Sequence, residues 1–327
     1  KDNVSAKSSN NEQVVASIDK DDITANDLYD ESAPYDGSTI YNMYKNAVID
    51  QSIETTKDIK KQANTLESNI KSNASKQSDD YESTLTSELA KYGYSSFEQL
   101  NDYCITSVKE KEMNKKYITK HFDEVKKAWE EKSPRTVSII KMEVSDANNL
   151  TETETKKKNN IDKALEKESF ADVAKAFSED SNTANKKGFA GYVDSDSTSS
   201  DSSSTSTVPA DVVTAAINLK KGETSDWITV TNSSGTSLYR VYVKETDSNK
   251  IFNAKNDTVS NQALYAILNS DSSLSYKIRK GVMANSIRQL MSVAGRLSDK
   301  KLDIKFNDKD TKKKFDNYVK TTYGGDQ

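Results

Sequence analysis

Few residues in this chain could do covalent or metal-assisted chemistry. Among 327 residues there is one cysteine, Cys104, and one histidine, His121. A lone thiol excludes an internal disulfide framework, and a lone imidazole excludes His-based metal clusters and any site built on several imidazoles. Cys104 lies in "LNDYCITSVKEKEM" at helical spacing and reads as a small buried apolar residue rather than a nucleophile. His121, in "TKHFDEVKKAWEE", reads as a solvated residue at a helix start. The acids of "DSDSTSSDSSS" stand close together but lack the glycine and terminal glutamate of a calcium loop, so they read as a solvated linker. No glycine-rich phosphate loop occurs. The sequence therefore implies no metal and no cofactor. One stretch stands out: "FADVAKAFSEDSNTANKKGFAGYV", residues 170 to 193, in which an amphipathic helix runs into a polar turn and then a glycine-flanked strand. Asp180 lies in the turn, where an aspartate can fold the backbone or face a ligand.

Other elements must hold that stretch in place, and composition limits what they are. The chain is 34% apolar and 30% charged, with 3 prolines and 10 glycines. So few breakers favour long helices, and so little apolar material favours separate slender bodies. Its 47 basic and 51 acidic residues are mixed along the chain to a formal charge of -4, which argues against nucleic acid as a partner. No apolar run is long enough to span a bilayer, and no signal peptide is recognisable. "KDNVSAKSSNNE" reads as a flexible leader of the kind that remains when a targeting segment has been removed.

Residues 14 to 31 offer a β-branched strand, an acidic turn and a helix start between Thr24 and Asp27. From Tyr41 to Trp129 there is no proline, and apolar residues recur three and four apart, which predicts a set of amphipathic helices broken at "KSNASKQSDD". Pro134 closes this region. "RTVSIIKMEV" then has the composition of a strand. A lysine-rich helix, the 170–193 stretch, a flexible Ser-rich insertion, a further helix and the alternating strand "TSLYRVYVKET" follow. That order, strand, helix, helix, strand, helix, strand, describes a small α+β domain. Beyond Asp247 the pattern is helical again, apart from the extended "LDIKF", and ends before Gly324.

In order, these motifs resemble the PrsA-type foldases of Gram-positive bacteria, relatives of the SurA chaperones with an inserted parvulin domain. "VVASIDKDDITANDLYD" is similar to the family's opening strand and helix, and "YGYSSFEQLNDY" through "ITKHFDEVKKAWEE" to the end of its N-terminal helical part. The 170–193 stretch is similar to the parvulin helix, turn and strand, "LKKGETSDWI" to the approach to its last strand, and "LDIKFNDKDTKKKFDNYVK" to its C-terminal helical element. The resemblance implies an α+β chain: a mainly helical chaperone body from both chain ends, with an inserted antiparallel sheet and its helices. It divides the chain into a leader at 1–13, an N-terminal helical part at 14–132, a parvulin-like domain at 133–247, and a C-terminal part at 248–327 that packs with the N-terminal one. It also implies an extracytoplasmic lipoprotein held at the membrane by a lipidated cysteine preceding Lys1. Its partners would be unfolded exported polypeptides, and it leaves a homodimer open.

Prolyl isomerisation crosses a barrier of about 20 kcal/mol and takes tens of seconds unaided. The resemblance implies that parvulins lower it by gripping the proline ring in an apolar pocket beside two histidines. Here "VSIIKM" puts Ile139 at the first histidine and "LYRVYV" puts Arg240 at the second. A pocket leucine becomes Ala190, the strand aromatic is Tyr192, and the nearest match to a pocket phenylalanine is Val212. Only the acidic or thiol position of the turn survives, as Asp180. The expectation is a foldase or chaperone whose parvulin domain is weak or inactive as an isomerase; the alternative is an active parvulin-type isomerase. The 16 tyrosines against 8 phenylalanines suit a cleft for unfolded segments.

Overall fold

The computed structural model describes residues 14–18, 21–24, 38–198, 207–284, 291–292, 295–297, 304–306 and 309–323. The expected leader, the residues after Thr24 and most of the Ser-rich insertion lie outside them. The chain divides into two units, one from 1–119 with 273–327, the other from 120–272.

The first unit is helical. A hairpin of β1 (Val14–Ile18) and β2 (Asp21–Thr24) precedes α1 (Ser38–Ser52), α2 (Lys57–Ser75), α3 (Tyr81–Lys91) and α4 (Leu100–Lys120). Thr24 ends β2, and the helix start expected between it and Asp27 lies outside the described residues; the expected break at "KSNASKQSDD" is shorter, because α2 runs on to Ser75. The starts follow local chemistry. Thr56 caps α2 by accepting from the Ile59 N–H, and Ser96 with Gln99 forms a capping box ahead of α4. Ile59, Leu89, Leu100, Cys104, Met113 and Ile118 are buried. Burial pushes the Cys104 thiol up to about 11, so at neutral pH it is a protonated core residue. The chain's other end supplies α11 (Leu274–Ala284) and α12 (Lys309–Tyr323). Their Tyr276, Phe315, Tyr318 and Tyr323 surround buried Tyr41 of α1 at ring separations of 5.4 to 6.4 Å.

The second unit is built on a four-stranded antiparallel sheet of order β4-β3-β6-β5, in which β3 is Arg135–Val144, β4 Phe189–Val193, β5 Ile228–Asn232 and β6 Gly235–Glu245. The sequence reading lacks β5. Helices α6 (Glu152–Leu165), α7 (Phe170–Phe177) and α8 (Ala210–Ile217) cover its faces. Because side chains alternate along a strand, each strand serves both faces. Val137, Ile139, Val241 and Val243 pack against Val212, Val213 and Ala216 of α8. Ile140, Met142, Val144 and Leu238 pack against Ile161 of α6 and Phe170, Val173 and Ala174 of α7.

Helices α5 (Phe122–Glu130), α9 (Ser248–Phe252) and α10 (Asp257–Ser270) belong to this unit, outside the 133–247 span drawn from the sequence. Phe122 stacks on Phe252 at 5.3 Å, and the Trp129 indole donates to the Tyr192 hydroxyl at 2.8 Å.

Candidate functional site

The turn of the 170–193 stretch is anchored by its own backbone. Asp180 receives the Thr183 hydroxyl on Oδ2 at 2.5 Å, and its carbonyl accepts the N–H groups of Thr183 and Ala184. Gly188 then donates to the Thr183 carbonyl and accepts from the Ile139 N–H, each at 2.8 Å, which ties the turn to β3. Its φ of +79° suits only glycine, and a Cβ there would lie 2.6 Å from Ala174 Cβ and 2.7 Å from the Ile139 oxygen. Asp180 is therefore committed to folding the turn, while its carboxylate also lies within electrostatic reach of Lys141 and Tyr239.

Ile139, matched to the first histidine, is 2% exposed, and Val212, matched to a pocket phenylalanine, 0%; both belong to the cluster on which Ala190 packs. A side chain so buried offers little surface to a proline ring. Tyr192 lies in a separate environment: stacked on Trp129 at 6.5 Å, it donates to Asp194 Oδ2 at 2.6 Å, and burial, reinforced by Asp194, raises its pKa far above the ordinary range. It is a packing residue rather than a substrate contact.

Arg240 is not beside Ile139. In the β3–β6 register Ile139 faces Val241, and Arg240 is opposite Ile140, one residue out of phase and so on the other face of the sheet. There its guanidinium pairs with Asp162 of α6 at 3.0 Å and lies 5.7 Å from the Trp227 ring, whose indole also donates to Asp162 at 2.8 Å. Arg240 therefore buttresses α6. Two β6 residues share the face of Ile139 and sit diagonal to it, Val243 and Tyr239, and only Tyr239, opposite Lys141, carries a polar group.

Tyr239 has a buried ring in the α8-facing cluster. It also lines a depression of about 170 Å³ with Lys141, Glu143, Val230 and Ser237. Ligand pockets usually run to about 300–1,000 Å³, so this one is small. Burial raises the Tyr239 pKa, opposed by the Lys141 ammonium and assisted by Asp180 and Glu143. Lys141 is itself held above its ordinary range: burial works against its charge, but Glu143 at 3.2 Å, Tyr239 and Asp180 outweigh it. The site thus offers a phenol and an ammonium as donors on a shallow floor. Sequence reasoning misses Tyr239 because both faces of "LYRVYV" carry large apolar side chains, so the phase of the strand is hidden. The β-branched alternation of Val241 and Val243 is the available cue.

His121 precedes α5, 3.9 Å from Glu124, and takes no part. Among the described residues no group of three or more His, Cys, Asp or Glu is placed to hold a metal, and no helix is long and apolar enough to cross a membrane.

Residues 139–240 match the family model described as Rotamase: PPIC-type PPIASE domain. No curated protein matches the chain. Similar solved structures include the foldase protein PrsA from Streptococcus pneumoniae, 21% identical over 94% of this chain and 99% of that one, with a TM-score of 0.41. PrsA from Bacillus subtilis is 20% identical over 93% and 98%, TM-score 0.43. The foldase protein PrsA from Lactococcus lactis is 23% identical over 82% and 89%, TM-score 0.35. The module framed by β3 and β6 is thus a match to the PPIC-type rotamase domain, and it contains no histidine.

Proposed function

We propose that the chain is an extracytoplasmic foldase or chaperone for exported, incompletely folded polypeptides, and that its parvulin-like domain isomerises prolyl bonds weakly or not at all. The observation that carries this reading is the burial of Ile139 and Val212 in one apolar cluster, where a proline pocket needs open walls and a polar group. In this reading a lipid anchor outside the given chain holds the protein at the outer face of a Gram-positive cell membrane, and tyrosines of the helical unit help to bind clients.

A second reading, a working isomerase, is favoured by the Tyr239 hydroxyl, a polar group close to Lys141 and Asp180 on the same sheet face as Ile139. The two are separated on one sample by a protease-coupled proline-peptide assay run beside an aggregation assay with a secreted client. The proposal expects slowed aggregation with peptide turnover near the uncatalysed rate. Turnover comparable to a two-histidine parvulin would overturn the first reading in favour of the second, and failure to slow the aggregation of any secreted client would remove the chaperone.

A further inference from the structure

The sheet of the second unit has two unlike edges. At one, β4 is kinked by a register shift opposite Val137 and Ser138 and is packed by α10. At the other, β5 reads Ile-Thr-Val-Thr-Asn, with no charge, no proline and no bulge, the devices by which proteins blunt an exposed edge. Its two-residue turn closes on Asn232 opposite Gly235, and such a closing pair is hydrogen-bonded. By alternation the backbone groups of Ile228 and Val230 point toward β6, and those of Thr229 and Thr231 point away. The rest of β6 has the same phase: Val241 accepts from the Ser225 N–H at 2.9 Å, and Val243 donates to the Glu223 carbonyl at 3.1 Å. Among the described residues, nothing hydrogen-bonds to the outward groups of Thr229 and Thr231, and both residues are exposed.

We infer that β5 takes an extended segment of a client polypeptide as an added strand of the sheet. This rests on the chaperone reading and names the form in which the client is held. Outward N–H and C=O groups two residues apart match an extended backbone of any sequence. Alternate side chains of the added strand lie beside Val230, at the margin of the depression floored by Tyr239, Lys141 and Glu143. Lys141 and Glu143 pair with each other there, so the floor imposes no single charge on what it receives. A second copy is a poorer occupant. A strand of five residues, about 16 Å long and 5 Å wide, covers far less than the roughly 800 Å² per partner of a stable interface.

The test uses the full chain and a fluorescent, proline-free ten-residue peptide of alternating Thr, Val and Tyr, so that prolyl recognition plays no part. The parent is expected to bind it and to show slowed amide exchange at Thr229 and Thr231. Thr231→Pro removes an outward N–H and the exposed hydroxyl contact with Thr236, but no ladder bond to β6, and should weaken binding at least tenfold while lowering the melting temperature by no more than about 4 °C. If that variant does not fold, Thr229→Lys with Thr231→Lys places charge on the edge and should have the same effect. Unchanged binding by a folded variant, or protection elsewhere than β5, overturns the inference. So does a dimer in sedimentation that either variant dissolves, since the edge would then hold another copy. A parent that suppresses aggregation yet ignores the peptide loses this inference alone, whereas one that does neither loses the chaperone reading as well.

Discussion

Residues 139 and 239 stand diagonally across β3 and β6, while residue 240 stands on the opposite face. Diagonal positions of one face lie about 7–8 Å apart at Cα, within reach of two imidazoles. Ile139→His with Arg240→His therefore cannot build a paired site. It should give no gain in turnover over the parent and should cost on the order of 3 kcal/mol, because it buries a polar ring at a 2% exposed position and removes the guanidinium from Asp162. Ile139→His with Tyr239→His is the pair that shares a face. If any turnover exists in the parent, Tyr239→Phe should cut kcat/KM about tenfold, the value of one hydrogen bond made in the transition state. A gain from the 139/240 pair in the proline-peptide assay would refute the register. The absence of the imidazoles is legible in the composition. Which β6 residue replaces the second one is not, since a one-residue slip changes the face and Leu238 and Tyr239 are both large and buried.

Elements of the second unit show where local signals suffice. Ser169 caps α7 by accepting from the Asp172 N–H, and Thr151 with Glu154 closes a capping box on α6, all visible as residue types at helix starts. The edge strand β5 carries the strand signal, four β-branched residues alternating from Ile228 to Thr231, but it is only five residues long and its threonines are exposed, so it is easily read as part of the loop before β6. The glycine turn is the most constrained feature. Gly188→Ala should cost about 3 kcal/mol in urea unfolding, from left-handed backbone strain plus overlap with β3 and α7. Gly191→Ala, also at positive φ but with nothing within 4 Å, should cost about 1–2 kcal/mol. Equal costs would show that the turn can relax. At the end of β6, Glu245 tests charge. Burial pushes its pKa up, but Lys221 at 2.8 Å and the N–H groups of Asp247 and Thr246 outweigh it, so the folded value is lowered. A lowered carboxylate stabilises above its unfolded pKa, about 4.3, and loses that contribution as pH falls through the folded value. Lys221 is half-exposed, so Glu245→Gln should cost no more than about 1 kcal/mol at pH 7. The melting-temperature gap from the parent should narrow as pH falls below about 4.3, and a gap that does not narrow in acid would exclude the charge as its cause.

At the scale of the whole molecule, the sequence tells which stretches are helical but not which body each helix joins, because periodicity reports only that a face is apolar. Phe122, Trp129 and Phe252 look like members of the terminal helical parts, and the Phe122–Phe252 stack fits that reading, but Trp129 meets Tyr192 of β4 and all three fall in the 120–272 unit. Every residue of the two apolar clusters on the sheet comes from between 137 and 243. The fragment 120–272 therefore owns a complete core and should unfold cooperatively by itself, with near-ultraviolet circular dichroism from its buried aromatics. The fragment 38–119 should not. Its Tyr41 is ringed by aromatics from beyond 273, and the guanidinium of Arg279, which is 4% exposed on its side chain, donates to the Tyr41 hydroxyl and pairs with Glu110 at 3.1 Å. Tyr41 responds to that burial with a pKa raised far above its ordinary range, against the pull of Arg279. Arg279→Met in the full chain takes the guanidinium from both Glu110 and the Tyr41 hydroxyl, at a cost of about 2–4 kcal/mol. Calorimetry should show the transition of the helical unit lowered, and the isolated 120–272 fragment melting where it does in the parent. A 120–272 fragment without a sigmoidal melt would mean that the sheet unit depends on residues outside its own clusters.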